Sequence, residues 1–95
     1  MPTIRIPTPF RPYADGKTEV TVAGDTVGGA LSDLARQYPD LRQHLYNDKD
    51  ELRSFVNVFL GVENVRFLRG VNTPLQETDQ LRIVPSVAGG LDGWR

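Results

Sequence analysis

"DTVGGALSDLARQYP", residues 25–39, is the one long stretch of this chain in which apolar side chains recur at helical spacing. Val27, Ala30, Leu31, Leu34 and Tyr38 fall at i, i+3, i+4 and i+7 positions, which line one face of an α-helix. Asp25 and Thr26 supply N-cap oxygens ahead of it. Pro39 closes the helix, predicted over residues 26–38, because the residue before a proline is driven out of the helical region. Gly28 and Gly29 each weaken the first turn by about 1 kcal/mol relative to Ala. Packing must therefore hold that end, and a close approach of helix to sheet is the expected reason.

On either side the period changes from helical to alternating. Upstream, Ile4 and Ile6 alternate within residues 3–7, and Val20 and Val22 within residues 18–22, so each segment reads as a half-buried strand. "TPFRPYADG", residues 8–16, holds two prolines and an Asp-Gly, which predicts a wide loop closing an N-terminal hairpin. Downstream, residues 40–51 are polar, with Leu41 and Leu45 spaced for a single helical turn. "RSFVNVFL", residues 53–60, is a strand with Val56, Val58 and Leu60 on one side and Phe55, Asn57 and Phe59 on the other. Residues 61–64 form a turn, 65–68 a short strand, and 69–80 a loop with a helical turn around Pro74 and Leu75. Residues 81–87 are a last strand, Leu81 and Ile83 alternating with Arg82 and Val84.

One long helix after a hairpin and before the remaining strands predicts an α+β fold, a mixed four- to five-stranded sheet with the helix across one face. The expected core is Ile4, Ile6, Val20, Val22, Leu31, Leu34, Val56, Val58, Leu81 and Ile83. With only one helix as cover, the other face looks at solvent or at a partner. Phe55, Phe59, Arg82 and Val84 are the candidate partner-binding residues there. A covering loop, either residues 7–13 or the segment around Trp94, is the competing explanation for the two aromatics.

Bulk properties narrow the function. Ninety-five residues make one domain and bury about 60 to 65% of the unfolded surface, which leaves little volume for an enclosed active site. The absence of Cys excludes disulfides, thiolate catalysis and Cys-based metal sites. A formal charge of −1 with interspersed signs argues against nucleic acid. Neither a secretory signal nor a membrane span is read, so a cytoplasmic protein without a membrane partner is expected. His44 stands alone in a polar segment and reads as solvated. Asp48, Asp50 and Glu51 read as a solvated charge cluster, because "NDKDE", residues 47–51, lacks the glycine and the further ligands of a calcium loop. No metal site is expected.

The chain closes on "RIVPSVAGGLDGWR", residues 82–95, in which an apolar strand dissolves into Gly89-Gly90 and then continues. "DQLRIVPSVAGG", residues 79–90, is similar to the closing strand and tail of the ThiS/MoaD family of sulfur carriers. "SFVNVFLGVENVRFL", residues 54–68, resembles the cysteine-biosynthetic, CysO-like branch of that family. The resemblance spans residues 1–90 and implies a ubiquitin-like β-grasp domain over 1–88 with a flexible tail over 89–95. Thr78 stands where the family commonly has Gly, in a turn.

The resemblance further implies that an E1-like enzyme adenylates the terminal glycine with ATP and that a sulfur donor converts the acyl adenylate to a thiocarboxylate. Such a carrier is no enzyme and holds no cofactor; ATP belongs to the activating enzyme. Gly89 and Gly90, the candidate activation residues, lack a Cβ and so fit a narrow channel. The departure is "LDGWR", residues 91–95, which locks the Gly90 carboxyl in a peptide bond. The expected processing site is Gly90 and Leu91, cut by a JAMM-type metalloprotease, before a sulfur-accepting biosynthetic enzyme takes the sulfur. A β-grasp binding module that is never activated, or a protein modifier conjugated through Gly90, are the alternatives. The final acceptor, whether for cysteine, a cofactor, tRNA or a secondary metabolite, resides in the partner enzymes.

Overall fold

Alternation puts Ile4 and Val20 on the same side of a hairpin, and the two stand in register. Strand β1 (Thr3–Arg5) pairs antiparallel with β2 (Glu19–Thr21), Ile4 opposite Val20. The computed structural model describes residues 1–85. Helices α1 (Val27–Gln37) and α2 (Pro39–Leu45) follow, then β3 (Val56–Leu60), β4 (Glu63–Asn64) and β5 (Gln80–Pro85). The sheet order is β2-β1-β5-β3-β4; β1 and β5 run parallel and the other pairs antiparallel. All ten expected core residues are buried, none more than 4% exposed. Leu31 and Leu34 of α1 share one cluster with Ile4, Val58, Leu81 and Ile83, so the sheet is covered on one face as expected.

Helix α1 begins where its cap sits. The Thr26 hydroxyl oxygen accepts from Gly29 N–H at 3.1 Å, satisfying one of the orphan donors of the first turn. Asp33 ties the helix to the sheet edge. Its carboxylate accepts from Ala23 N–H at 2.9 Å, from Gln37 Nε2 at 2.9 Å and from the Arg36 guanidinium, while Gln37 also donates to the Thr21 carbonyl at 3.0 Å.

The Ala23 hydrogen bond first, and Arg36 next, hold the Asp33 carboxyl below its ordinary pKa against an opposing effect of burial. A depressed folded pKa contributes stability that is present above the unfolded value, about 4, and is lost as pH falls through the folded one. Asp33→Asn should therefore flatten the acid limb of a stability-versus-pH curve measured in urea. An unchanged slope below about pH 4 would remove Asp33 from acid unfolding.

Four local expectations are corrected. Residues 8–16 are not an open loop: Thr8–Ala14 form a 3-10 helix that buries Phe10 and Ala14 and ends at Asp15 in the left-handed region, φ 55°. Pro9 and Pro12 lack the N–H that a strand ladder needs, and their fixed φ suits the tight helix. The single turn at Leu41 and Leu45 is the full helix α2, because Pro39 ends α1 and also serves as a first-turn residue, where a missing N–H costs nothing.

The strand expected at residues 65–68 is displaced to β4. The Asn64 side chain accepts from Arg66 N–H at 3.0 Å and turns the chain into a 3-10 turn, Val65–Phe67. The helical turn expected at Pro74 and Leu75 lies at Gly70–Asn72. Thr73 and Leu75 are instead extended against the start of α1, with Val27 N–H donating to the Thr73 carbonyl at 2.9 Å and Leu75 N–H to that of Asp25 at 2.8 Å.

The glycine reading also shifts. A Cβ on Gly28 meets the Val71 Cβ and carbonyl oxygen at 3.1 Å, so the close approach comes from the Gly70–Asn72 turn rather than from the sheet. The tighter site is Gly24, where a Cβ would sit 2.6 Å from the Ala30 nitrogen.

Candidate functional site

β5 occupies the middle of the sheet, bonded to β1 on one side and β3 on the other, and ends at Pro85 opposite Val56. Gly89, Gly90 and Leu91, expected for activation and processing, lie outside the described residues. So do Trp94 and the boundary expected after residue 88.

Strand alternation fixes what the face opposite α1 presents. Glu19, Arg5, Arg82, Phe59 and Asn64 stand in one row across β2, β1, β5, β3 and β4, and Val84 is paired with Asn57 in the next. The Arg82 guanidinium carbon lies 5.2 Å from the centroid of the half-buried Phe59 ring, a cation–π contact. Val84 is 38% exposed. Three of the four expected face residues thus come together.

Phe55 does not join them as an open side chain. It precedes β3 and is half-buried against the core, because Val56 N–H closes a turn onto the Arg53 carbonyl at 3.0 Å before the strand begins. The 3-10 helix over Thr8–Ala14 turns its aromatics toward α2 instead of the open face. Tyr13 stacks on His44 with centroids 4.0 Å apart, and Phe10 lies 6.0 Å from the same ring. His44, expected to be solvated, is therefore a half-buried packing residue.

Sequence reasoning missed Arg5 and Arg11. Alternation already pointed Arg5 outward, but only the parallel β1–β5 pairing sets it beside Arg82. That adjacency has no signature in strand order. Arg11 sits in the segment read as a loop, its Nε donating to the Ile6 carbonyl at 3.2 Å.

The helix side holds two larger hollows, of about 370 and 540 Å³, which share Arg42, Tyr46 and Asp50. Burial pushes the Tyr46 hydroxyl above its ordinary pKa, with Arg42 opposing and Asp50 adding to the rise. A phenol held protonated is a poor base. Asp48, Asp50 and Glu51 are exposed, with Asp50 paired to Arg42. No group of three or more His, Cys, Asp or Glu converges to hold a metal among the described residues. Among the same residues no helix is long and apolar enough to cross a membrane.

A five-stranded mixed sheet, one long helix across it and an open face beside the end of the central strand define a ubiquitin-like β-grasp protein. The ThiS family model matches residues 4–90, and this chain belongs to that family. The sulfur carrier protein CysO of Mycobacterium tuberculosis is 38% identical over 90 residues, 93% of this chain and 97% of that protein. A chain of the Amycolatopsis orientalis BexX/CysO complex superposes with a TM-score of 0.84 at 32% identity, over 95% of this chain and 100% of that one. The small archaeal modifier protein 1 of Methanosarcina acetivorans is 28% identical with a TM-score of 0.84, covering 94% of this chain and 95% of that one.

Proposed function

We propose that this chain is a sulfur carrier. Its Gly90 carboxylate, freed by removal of residues 91–95, is adenylated by an E1-like enzyme and converted to a thiocarboxylate that donates sulfur in biosynthesis. The observation that carries the reading is the position of β5. Gly90 follows five residues after the end of β5, a strand paired with β1 over residues 80–82 and with β3 through Pro85, and five extended residues span up to about 17 Å. A glycine on such a tether suits an active site that lies beyond the domain surface. The resemblance to the CysO of Mycobacterium tuberculosis supports sulfur carriage, and the BexX/CysO complex of Amycolatopsis orientalis supports docking onto partner enzymes. The JAMM-type protease and the sulfur acceptor belong to this proposal. Its test is intact-mass spectrometry of a chain ending at Gly90, incubated with an E1-like enzyme, ATP and a sulfur donor. Exchange of one oxygen for sulfur is expected.

Conjugation through Gly90 is a second reading, supported by the likeness to small archaeal modifier protein 1. It shares the adenylation step and is separated by whether the product is a thiocarboxylate or an isopeptide on a lysine.

Phe59, Arg82 and Val84 form the partner surface in this reading. Phe59→Ala should weaken binding to the activating enzyme by about 30-fold or more, as an aromatic hot spot does, with a smaller effect on folding. If stability falls in a denaturant titration while affinity by calorimetry holds, Phe59 serves the fold and not the interface.

A further inference from the structure

We propose that Arg5, Arg11 and Arg82 form a docking groove for an acidic surface of the activating enzyme, beside the end of β5. The proposal rests on the carrier reading and names the chemistry of the partner at that site. A groove of about 240 Å³ is lined by these three arginines with Pro7, Val84 and Pro85 among its apolar walls, and no carboxylate of the described residues lines it.

Arg5 and Arg82 are in register on adjacent parallel strands, and like charges placed side by side on a sheet destabilise it. Glu19 is in register with Arg5 on the other side, and its carboxylate accepts from the side-chain amide of Gln80 rather than pairing with a guanidinium. Neither arginine has an ion pair among the described residues, whereas Arg36 and Arg42 are matched by Asp33 and Asp50. Arg11 uses Nε on the Ile6 carbonyl, which fixes its guanidinium while the remaining N–H groups stay available.

The cluster is local, because the whole chain carries a formal charge of −1. The stretch over α2 and the loop after it, by contrast, sets Asp40, Asp48, Asp50 and Glu51 against Arg42, Lys49 and Arg53 and is nearly balanced. Three like charges with no carboxylate of the described residues lining their groove steer a partner that carries carboxylates around an apolar contact. Arg forks match carboxylates bidentately, and Val84 and Pro85 supply the apolar centre.

Two measurements decide the proposal. In the first, the chain ending at Gly90 and its Arg5→Gln/Arg82→Gln variant are compared in ATP–pyrophosphate exchange with the activating enzyme at several NaCl concentrations. The variant should lose about tenfold in kcat/KM at low salt, through KM, and should lose most of the salt dependence. Lys49→Gln, in the loop after α2, should change neither. A parallel salt slope in variant and parent overturns the groove, and thermal melts show whether both remain folded.

The second measurement needs no enzyme. A hexapeptide of alternating Glu and Leu is titrated into the labelled chain ending at Gly90 and followed by amide shifts. Shifts confined to the groove support the proposal. Shifts spread equally over Arg36, Arg42, Arg53 and Arg69 overturn it. It is also overturned if the full-length chain, without peptide, already shows the groove shifts, because Asp92 of its own tail is then the occupant. A parent chain that no enzyme activates removes the carrier reading alone, and the titration still judges the groove.

Discussion

Leu34→Ala is expected to lower the stability of the domain by about 2 to 5 kcal/mol, the range for truncating a large buried aliphatic side chain. Leu34 is fully buried, in one cluster with Leu31, Leu41, Leu45 and the inward side chains of the sheet. It lies one turn before α1 hands over to α2, its carbonyl accepting from Tyr38 N–H at 3.0 Å. A domain of this size holds about 5 to 15 kcal/mol in all, so the loss is a large share of it. Urea titration against Ser32→Ala, on the exposed side of the same helix, is the measurement. A surface change of that kind stays within about 0.5 kcal/mol. Equal midpoints for the two variants would mean that the buried stripe of α1 lies elsewhere.

The buried half of the molecule was legible because burial leaves a period in the sequence. Ile4, Val20, Val58, Leu81 and Ile83 alternate as strands facing a core must, and Leu31 and Leu34 repeat as a helix face must. The elements that escaped are those specified by a single hydrogen bond or a single proline rather than by a period. The Asn64 side chain bends the chain after only two residues of β4. Pro39 reads equally as the end of one helix and the start of the next.

The site was legible only in part, for a related reason. Phe59, Arg82 and Val84 lie on two strands that pair with each other, and their shared face follows from parity within each strand. Arg5 comes from a strand far away in sequence whose neighbour is chosen by the whole topology, and Arg11 from a segment without any period. Phe55 had the parity of Phe59, but a turn at residues 53–56 ends the strand before parity applies to it. Gly24 shows the same limit, since its lack of a side chain is required by the backbone of Ala30, a close approach of the chain to the first turn of α1 that no periodicity records.

The other large effect is all or none. A full-length chain incubated with the activating enzyme, ATP and a sulfur donor should keep its mass, while the chain ending at Gly90 gains sulfur. Adenylation joins a carboxylate oxygen to the α-phosphorus of ATP and expels pyrophosphate. In the full-length chain the Gly90 carbonyl belongs to an amide with Leu91 and has no such oxygen to offer. A terminal residue that carries a side chain is the wrong shape for a channel that glycine threads. In the proposed function, cleavage between Gly90 and Leu91 commits the carrier, and the proposed protease rather than the activating enzyme governs how much of it enters the pathway. Gly90→Ala adds one methyl at the threading position and should slow both cleavage of the full-length chain and activation of the shortened one. Three results would end the pro-form reading: sulfur gained equally by both chains, a shortened chain that stays unmodified with a competent enzyme, or protein from the native cells that always retains Arg95.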